Sequence, residues 1–263
     1  MHPALMDDWD RHWSDIASTT EAGPTPKYRT RLILQLLELD RFPGRAQLLD
    51  LGSGLGDFAA AVQASFPGVD VVGLELSRTG VDIASRKVPS ARFHQRNLLA
   101  PAQPGDSDGI RATHAVCSEV LEHLDDPRVF LRNAIAYLAP DCRLIVTVPG
   151  GPSSAFARHI GHRRHYRPRE LRELLEAAGF VVERAAGYGF PFFNLFRLLA
   201  TLRGKRLIQD VSVPASQAPL HVRVGCIVFD VLFRMNLSFW GWQTVAVARW
   251  PGNPSTESAK RAE

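Results

Sequence analysis

A strand, a glycine-rich turn and a helix follow one another at residues 48–64, and this succession limits the possible folds more than any other stretch. The run Leu48-Leu49-Asp50-Leu51 is apolar except for Asp50 and reads as a buried parallel strand. Gly52, Gly54 and Gly56 make a tight turn, and the alanine-rich Phe58–Ala64 opens a helix. Such turns let a ligand approach the backbone closely at the positive end of a helix. A nucleotide-like cofactor is the natural occupant.

The spacing narrows which cofactor. The usual dinucleotide fingerprint, G-x-G-x-x-G, places its third glycine three residues after the second. Here that position is Asp57, the third glycine comes early at Gly56, and carboxylates flank the turn at Asp50 and Asp57. Extra negative charge repels a pyrophosphate and tolerates a ligand carrying an ammonium and a sulfonium. A second buried strand, Val71-Val72-Gly73-Leu74-Glu75, ends in an acid about 20 residues beyond the glycines, where a carboxylate grips ribose hydroxyls.

At this point the chain resembles the class I S-adenosylmethionine-dependent methyltransferases. The match runs on through His-Ala-Val-Cys-Ser-Glu-Val-Leu-Glu-His-Leu-Asp-Asp-Pro at 114–127, then Phe130–Leu138 and Arg143–Pro149, and covers residues 45–186 with a last strand at 242–250. The resemblance implies a Rossmann-like, doubly wound α/β sheet of seven strands, mostly parallel with the last antiparallel. It implies S-adenosyl-L-methionine as cofactor, with Gly52, Gly54 and Gly56 beside its methionine part and Glu75 on its ribose. By the same resemblance the pocket takes in Asp50, Ser53, Leu76, Asn97, Leu98, Ser118 and Glu119. Asn97 stands where the family usually has an Asp facing the adenine, which keeps an acceptor oxygen and loses the charge.

Composition adds bounds. At 263 residues the chain is long enough for one domain with a substantial core plus an elaboration. Its 31 basic and 27 acidic residues leave a net charge of only +4, too small an imbalance to call for nucleic acid. Cys117, Cys142 and Cys226 have neither metal-ligand spacing nor the density of a disulfide framework, so a reducing cytoplasm is the default. The opening residues, with Asp7, Asp8, Trp9 and Asp10, lack the make-up of a signal peptide.

Periodicity predicts helices at 7–18, with Trp9 and Trp13 four apart, and at 27–39 after a Pro/Gly break at 23–26. In the family, such N-terminal helices (residues 1–44 here) lie over the cofactor, and an arginine near their start can meet its carboxylate. Arg29 and Arg31 both qualify. Strands at 47–51, 70–75, 91–95, 112–118, 142–148 and 180–186 then alternate with helices at 56–65, 77–87, 126–138 and 168–178, and an alternating run at 242–250 supplies the seventh strand. The core is thus 45–189 with 241–250. Between its last two strands lies an unusually long apolar insertion, 190–240, read as two helices, Phe190–Leu202 and Leu220–Leu237. Neither reaches the length of about 20 apolar residues that a membrane span needs. The insertion is expected to be core, a dimer contact, an acceptor cap or a peripheral membrane patch. The tail, 251–263, is expected to be disordered.

Methyl transfer from a sulfonium needs the nucleophile aligned and, for a hydroxyl or neutral amine, its proton managed. Histidine suits that task near neutral pH. The candidate bases are His123, in Ser-Glu-Val-Leu-Glu-His, and His162 and His165, in a polar segment with His159, Arg163, Arg164 and Tyr166 that is expected to face the pocket. Glu119, Glu122, His123 and one later histidine resemble the metal-binding constellation of the small-RNA 2′-O-methyltransferases. The quinone-pathway O-methyltransferases look similar here, including Gly161-His162 before the Pro168-Arg169-Glu170-Leu171 helix start. Since Glu-Val-Leu-Glu-His is also widespread in members without a metal, none is expected.

The leading reading is a small-molecule methyltransferase acting on oxygen, or nitrogen, of an apolar or aromatic acceptor. An RNA 2′-O-methyltransferase would need regular basic and aromatic interleaving, which is confined to 158–167. A non-catalytic module using 190–240 to bind a partner or membrane would not need the intact glycines and Glu75. A nicotinamide oxidoreductase is disfavoured by Asp57.

Overall fold

The computed structural model describes residues 9–16, 23–103, 105–107, 109–154, 157–158, 160–203 and 220–252. His159, the flanks of the first predicted helix, the segment 204–219 and the tail beyond 252 lie outside the described residues. Seven strands form one sheet: β1 (Gln47–Leu51), β2 (Asp70–Glu75), β3 (Arg92–Gln95), β4 (Ala112–Ser118), β5 (Leu138–Pro149), β6 (Val181–Tyr188) and β7 (Gln243–Trp250). Their order is β3-β2-β1-β4-β5-β7-β6. The first five pair in parallel, and β7 inserts antiparallel between β5 and β6. This is the mixed, doubly wound α/β sheet that the alternation implies.

The helices are α1 (Trp9–Ile16), α2 (Pro24–Leu37), α3 (Asp57–Ser65), α4 (Arg78–Lys87), α5 (Pro127–Ala134), α6 (Pro168–Ala177), α7 (Phe192–Arg203) and α8 (Leu220–Leu232). Several boundaries depart from expectation, and three of them have a clear local reason. Pro24 and Pro26 lie inside α2 rather than before it, because a proline in the first turn forgoes an amide that has no intrahelical partner anyway. At its other end α2 stops at Leu37, since Glu38 turns left-handed, and Leu39 falls in a separate 3₁₀ turn. Finally, α5 gives way to a 3₁₀ turn at Ile135–Tyr137 and β5 begins at Leu138, a buried leucine paired beside Ala112.

Strand side chains alternate between two apolar layers, the consequence of a period of two in a sheet covered on both faces. Leu49, Leu51, Val72, Leu74, Ala115 and Val146 join a core with Phe130 and Leu131 of α5 and Leu171 and Leu175 of α6. Leu48, Val71, Val116, Ile145 and Val245 join the opposite core with Leu32, Ile33 and Leu37 of α2 and Val62 of α3. The insertion divides its apolar residues. Phe193 of α7 and Phe233, in the 3₁₀ turn that follows α8, are buried against Tyr28 of α2, at ring-centroid distances of 5.4 Å, and Arg31 of α2 pairs with Asp230 of α8 at 3.0 Å. Leu198, Leu199, Leu202, Ile227 and Val231 stay exposed on the outer side. No described helix is long and apolar enough to cross a membrane.

Because β1 and β4 are neighbours, the chain order reverses between them, and a crevice opens beyond their carboxyl ends. The glycine turn leaves β1 on one side of it. The Ser118–His123 segment leaves β4 on the other.

Candidate functional site

The turn after β1 is fastened from below. The amides of Gly52 and Ser53 donate to Leu74 O of β2 at 2.8 and 3.2 Å. Gly54 and Gly56 hold φ of +52° and +78°, values a side chain disfavours, and Gly56 starts α3 in a left-handed conformation. A Cβ on Gly56 would meet Ala84 Cβ at 2.9 Å, so only glycine lets α3 and α4 come this close.

Glu75, buried at the tip of β2, accepts from Gly54 N and from Ser77 N at 2.9 Å each, one amide per carboxylate oxygen. Each oxygen retains a lone pair, the capacity that two vicinal ribose hydroxyls would use. Burial raises its pKa, against the lowering by these backbone donors. Asp50 is 3 % exposed and its Oδ2 has no hydrogen-bond partner. Ser53 Oγ is likewise buried and unbonded. Two orphaned acceptors under a glycine turn fit a ligand that brings an ammonium group. Beyond β3, Asn97 is exposed and its Oδ1 accepts from Leu99 N at 2.9 Å, while Leu98 is buried and its carbonyl accepts from Asn133 Nδ2 at 2.9 Å. Leu76 and Leu99, both more than two-fifths exposed, offer apolar surface on this side, suited to a flat base.

α1 covers this half. Asp10 Oδ1 accepts from Ser77 Oγ at 2.5 Å and from Thr79 N at 2.9 Å, which ties α1 to the start of α4. The Trp13 ring lies so close to Gly54 that a Cβ there would meet it at 3.0 Å. One turn earlier, Trp9 meets His123 edge-on at 4.9 Å. The same short helix therefore touches both the glycine turn and the polar cluster beyond β4.

That cluster is partly shielded from solvent, with Glu122 fully buried at its centre. Ser118 ends β4, its Oγ 3.0 Å from Thr147 Oγ1. Glu119 has φ +57°, a left-handed conformation rare for a residue with a side chain, and such strain persists only where neighbours hold it. Those neighbours are Arg29 Nη1 at 3.3 Å, Gln243 Nε2 at 2.9 Å and Thr147 Oγ1 at 3.3 Å. Burial pushes the Glu119 carboxyl up, but Arg29 and Gln243 more than offset this and hold it below its ordinary range. Glu122 is 0 % exposed, and neither of its carboxylate oxygens has a hydrogen bond. Burial, then the Glu119 charge, raise its pKa well above the usual value.

The histidines converge on Glu122. His162 Nε2 lies 3.8 Å from Glu122 Oε1, the His162 ring meets His123 at 4.8 Å, and His165 follows at 5.7 Å. Burial, then His123, lower His162 to about 3, so it is neutral at physiological pH. Burial lowers His165 as well, and its Nδ1 is 3.0 Å from Gly151 O. One ligand atom each from Glu122, His123 and His162 lies within 4.8 Å of the others, a donor set of the kind that holds a divalent cation.

Several expected members stand elsewhere. Tyr166 is core rather than part of a polar lip, buried with its hydroxyl donating to Leu121 O at 3.2 Å, since its ring is large and its single polar atom finds a carbonyl. Arg163 and Arg164 reach outward to the Asp125 side chain and carbonyl. Of the two N-terminal arginines, Arg29 enters the site and Arg31 fastens the insertion.

Two site residues escaped sequence reasoning. Gln243 is the first residue of β7, and a lone glutamine in an alternating strand carries no signal. Arg197 lies one helical turn beyond the buried Phe193, on the inward face of α7, where its charge acts on Glu119 and Glu122. Its signal was present: a cation on the buried stripe of an otherwise apolar helix.

A family model described as "Methyltransferase domain" matches residues 26–185, more than half of the chain. Trans-aconitate 2-methyltransferase of Paracidovorax citrulli is 29 % identical over 144 residues, 53 % of this chain and 54 % of that protein. A ubiquinone biosynthesis O-methyltransferase of Xanthomonas euvesicatoria is 27 % identical over 182 residues, 58 % of this chain and 70 % of that one. The chain thus spans about half the length of the first relative. Among solved structures, the plantazolicin methyltransferase BpumL in complex with SAH shares the fold at TM-score 0.57 and 11 % identity, over 94 % of this chain and 92 % of that one. The [4+2]-cyclase SpnF shares it at 0.54 and 20 %, over 85 % and 82 %. With its family model matched across the glycine turn, both strand-tip acids and the histidine cluster, the chain belongs to the methyltransferase-domain family.

Proposed function

We propose that this chain transfers a methyl group from S-adenosylmethionine to an oxygen, or nitrogen, of a small acceptor. The observation that carries the reading is Glu75, a buried carboxylate fixed between two backbone amides at the edge of the glycine turn. Asp50, Gly52, Ser53, Gly54, Gly56, Glu75 and Leu76 would hold the cofactor with Asn97, Leu98, Ser118 and Glu119. When bound, the cofactor supplies an activated methyl carbon. The curated relatives named for trans-aconitate and ubiquinone biosynthesis support a small acceptor, and neither supports the RNA or the non-catalytic reading.

The chain's own residues do the rest. Trp9, Trp13 and α1 exclude water from above the turn. Arg29, Gln243 and Thr147 hold the ionised Glu119 in its strained conformation at the cofactor edge. His123, His162 and His165 would take the acceptor's proton. A neutral imidazole can accept one, though a group held at about 3 is a weak base, so His162 suits a relay better than a terminal base.

The exposed outer face of α7 and α8 supports contact with a membrane surface or a second copy, because Leu202 and Ile227 are 73 % and 66 % exposed. Liposome flotation and sedimentation separate the two. Calorimetry tests the main reading: S-adenosylmethionine and S-adenosylhomocysteine should bind and NAD should not. Binding of NAD alone would reverse the assignment.

A further inference from the structure

The polar chamber beside Glu122 has more unmet hydrogen-bonding capacity than a protein interior tolerates. Both Glu122 oxygens, His162 Nδ1, His165 Nε2 and Gln243 Oε1 are buried without hydrogen bonds. A buried polar atom left alone costs about 1–3 kcal/mol, so such a set persists where a ligand or water completes it.

Arg197 adds a cation to this chamber. α7 sorts its residues by face. Phe193 is fully buried, Phe196 packs against Phe229 and Phe233, and Leu195, Leu198 and Leu199 face outward. Arg197 shares the Phe193 face, and its charge acts on Glu119, Glu122, His162 and His165. Among the described residues, no hydrogen bond or ion pair engages its guanidinium. Glu119 is already held by Arg29 and Gln243. A half-buried guanidinium in an apolar helix, close enough to these groups for its charge to act on them and without a hydrogen bond among the described residues, is costly for stability and suited to recognition, since its planar donors match a carboxylate two at a time.

We infer that Arg197 is the anion-recognition residue of the acceptor site, and that the acceptor carries a carboxylate or an equivalent anionic oxygen group. The anion would accept from the Arg197 guanidinium and from the N–H of a neighbouring imidazole, His162 or His165. The cofactor's sulfonium adds positive charge across the crevice, which favours an anionic acceptor further. This inference rests on the methyl-transfer reading above.

The test uses the full chain saturated with S-adenosylhomocysteine and titrated with benzoate, phthalate and neutral benzamide by calorimetry. The carboxylates should bind and benzamide should not. Arg197→Met should weaken carboxylate binding at least tenfold and leave the S-adenosylhomocysteine affinity unchanged, and Arg197→Lys should recover part of the loss. Equal binding of benzamide, no carboxylate binding, or an unchanged affinity in Arg197→Met would overturn the assignment. So would a matching loss of S-adenosylhomocysteine affinity, which would move Arg197 to the cofactor. Circular dichroism of both variants separates misfolding from lost recognition. Failure of the wild type to bind S-adenosylhomocysteine at all would instead count against the methyl-transfer reading.

Discussion

Asp50 is the penultimate residue of β1, beneath the glycine turn, and the absence of a partner for its Oδ2 makes it a measurable liability. Burial, then the charges of Glu75 and Asp57, raise its pKa from 3.8 to about 7. In the unfolded chain it titrates near 3.8. Between pH 4 and pH 7 the native protein therefore keeps a proton that the unfolded chain has lost, and stability falls as pH rises, by about 1.4 kcal/mol per unit. Across this window the loss comes to about 4 kcal/mol, and above pH 7 both states are ionised and the slope ends. Asp50→Asn abolishes the titration. Urea unfolding followed by tryptophan fluorescence, without ligand, should show the variant gaining on the wild type by about 4 kcal/mol from pH 4 to pH 7. The amide's own fit adds an offset that does not vary with pH, so the slope alone carries the test. Parallel curves through the window would refute the idea of a buried, unpaired carboxyl. The same proton links to function. A ligand bringing an ammonium group favours ionised Asp50, so S-adenosylhomocysteine affinity should rise with pH below 7 by up to about tenfold per unit in the wild type, and stay flat in Asp50→Asn.

Glu75→Gln replaces one accepting oxygen with an amide donor, so S-adenosylhomocysteine should bind about 10–100-fold more weakly by calorimetry, the loss of one charge-assisted hydrogen bond; an unchanged affinity would remove its assigned role. Trp13→Ala uncovers Gly54 and should weaken the same ligand several-fold, read in the same titration, without shifting the acceptor's KM. Dialysis against EDTA should leave methyl transfer intact, because a metal at Glu122, His123 and His162 must first displace a proton from a carboxyl held well above its usual range. Activity lost to EDTA and restored by Zn²⁺ or Mn²⁺ would assign an ion to those three residues.

The proposed cofactor half of the candidate site could be assembled from the sequence because it is local. Gly52, Gly54 and Gly56 lie in one turn, and Glu75 follows at the tip of the adjacent strand, so spacing along the chain reports position in space. The acceptor half is assembled from afar. Glu119 is held by Arg29 from α2 and by Gln243 from β7, 124 positions on, and the cation beside it comes from a helix whose pattern reads as plain apolar packing. Pattern reading asks which face of a helix is apolar, and it correctly found that α7 has one. The same question passes over the single charged residue on that face, and conflicts of this kind between a local rule and its surroundings are where function tends to sit. Tyr166 is the opposite case, a polar-looking neighbour of three histidines that the core absorbs through one hydrogen bond to Leu121. The discriminating quantity for both is the balance of hydrogen bonds after folding. Tyr166 has its partner, whereas the charge of Arg197 and the carboxyl of Glu122 face one chamber with their bonds unmade among the described residues. What the chamber lacks is therefore a better guide to the acceptor than what lines the insertion around it.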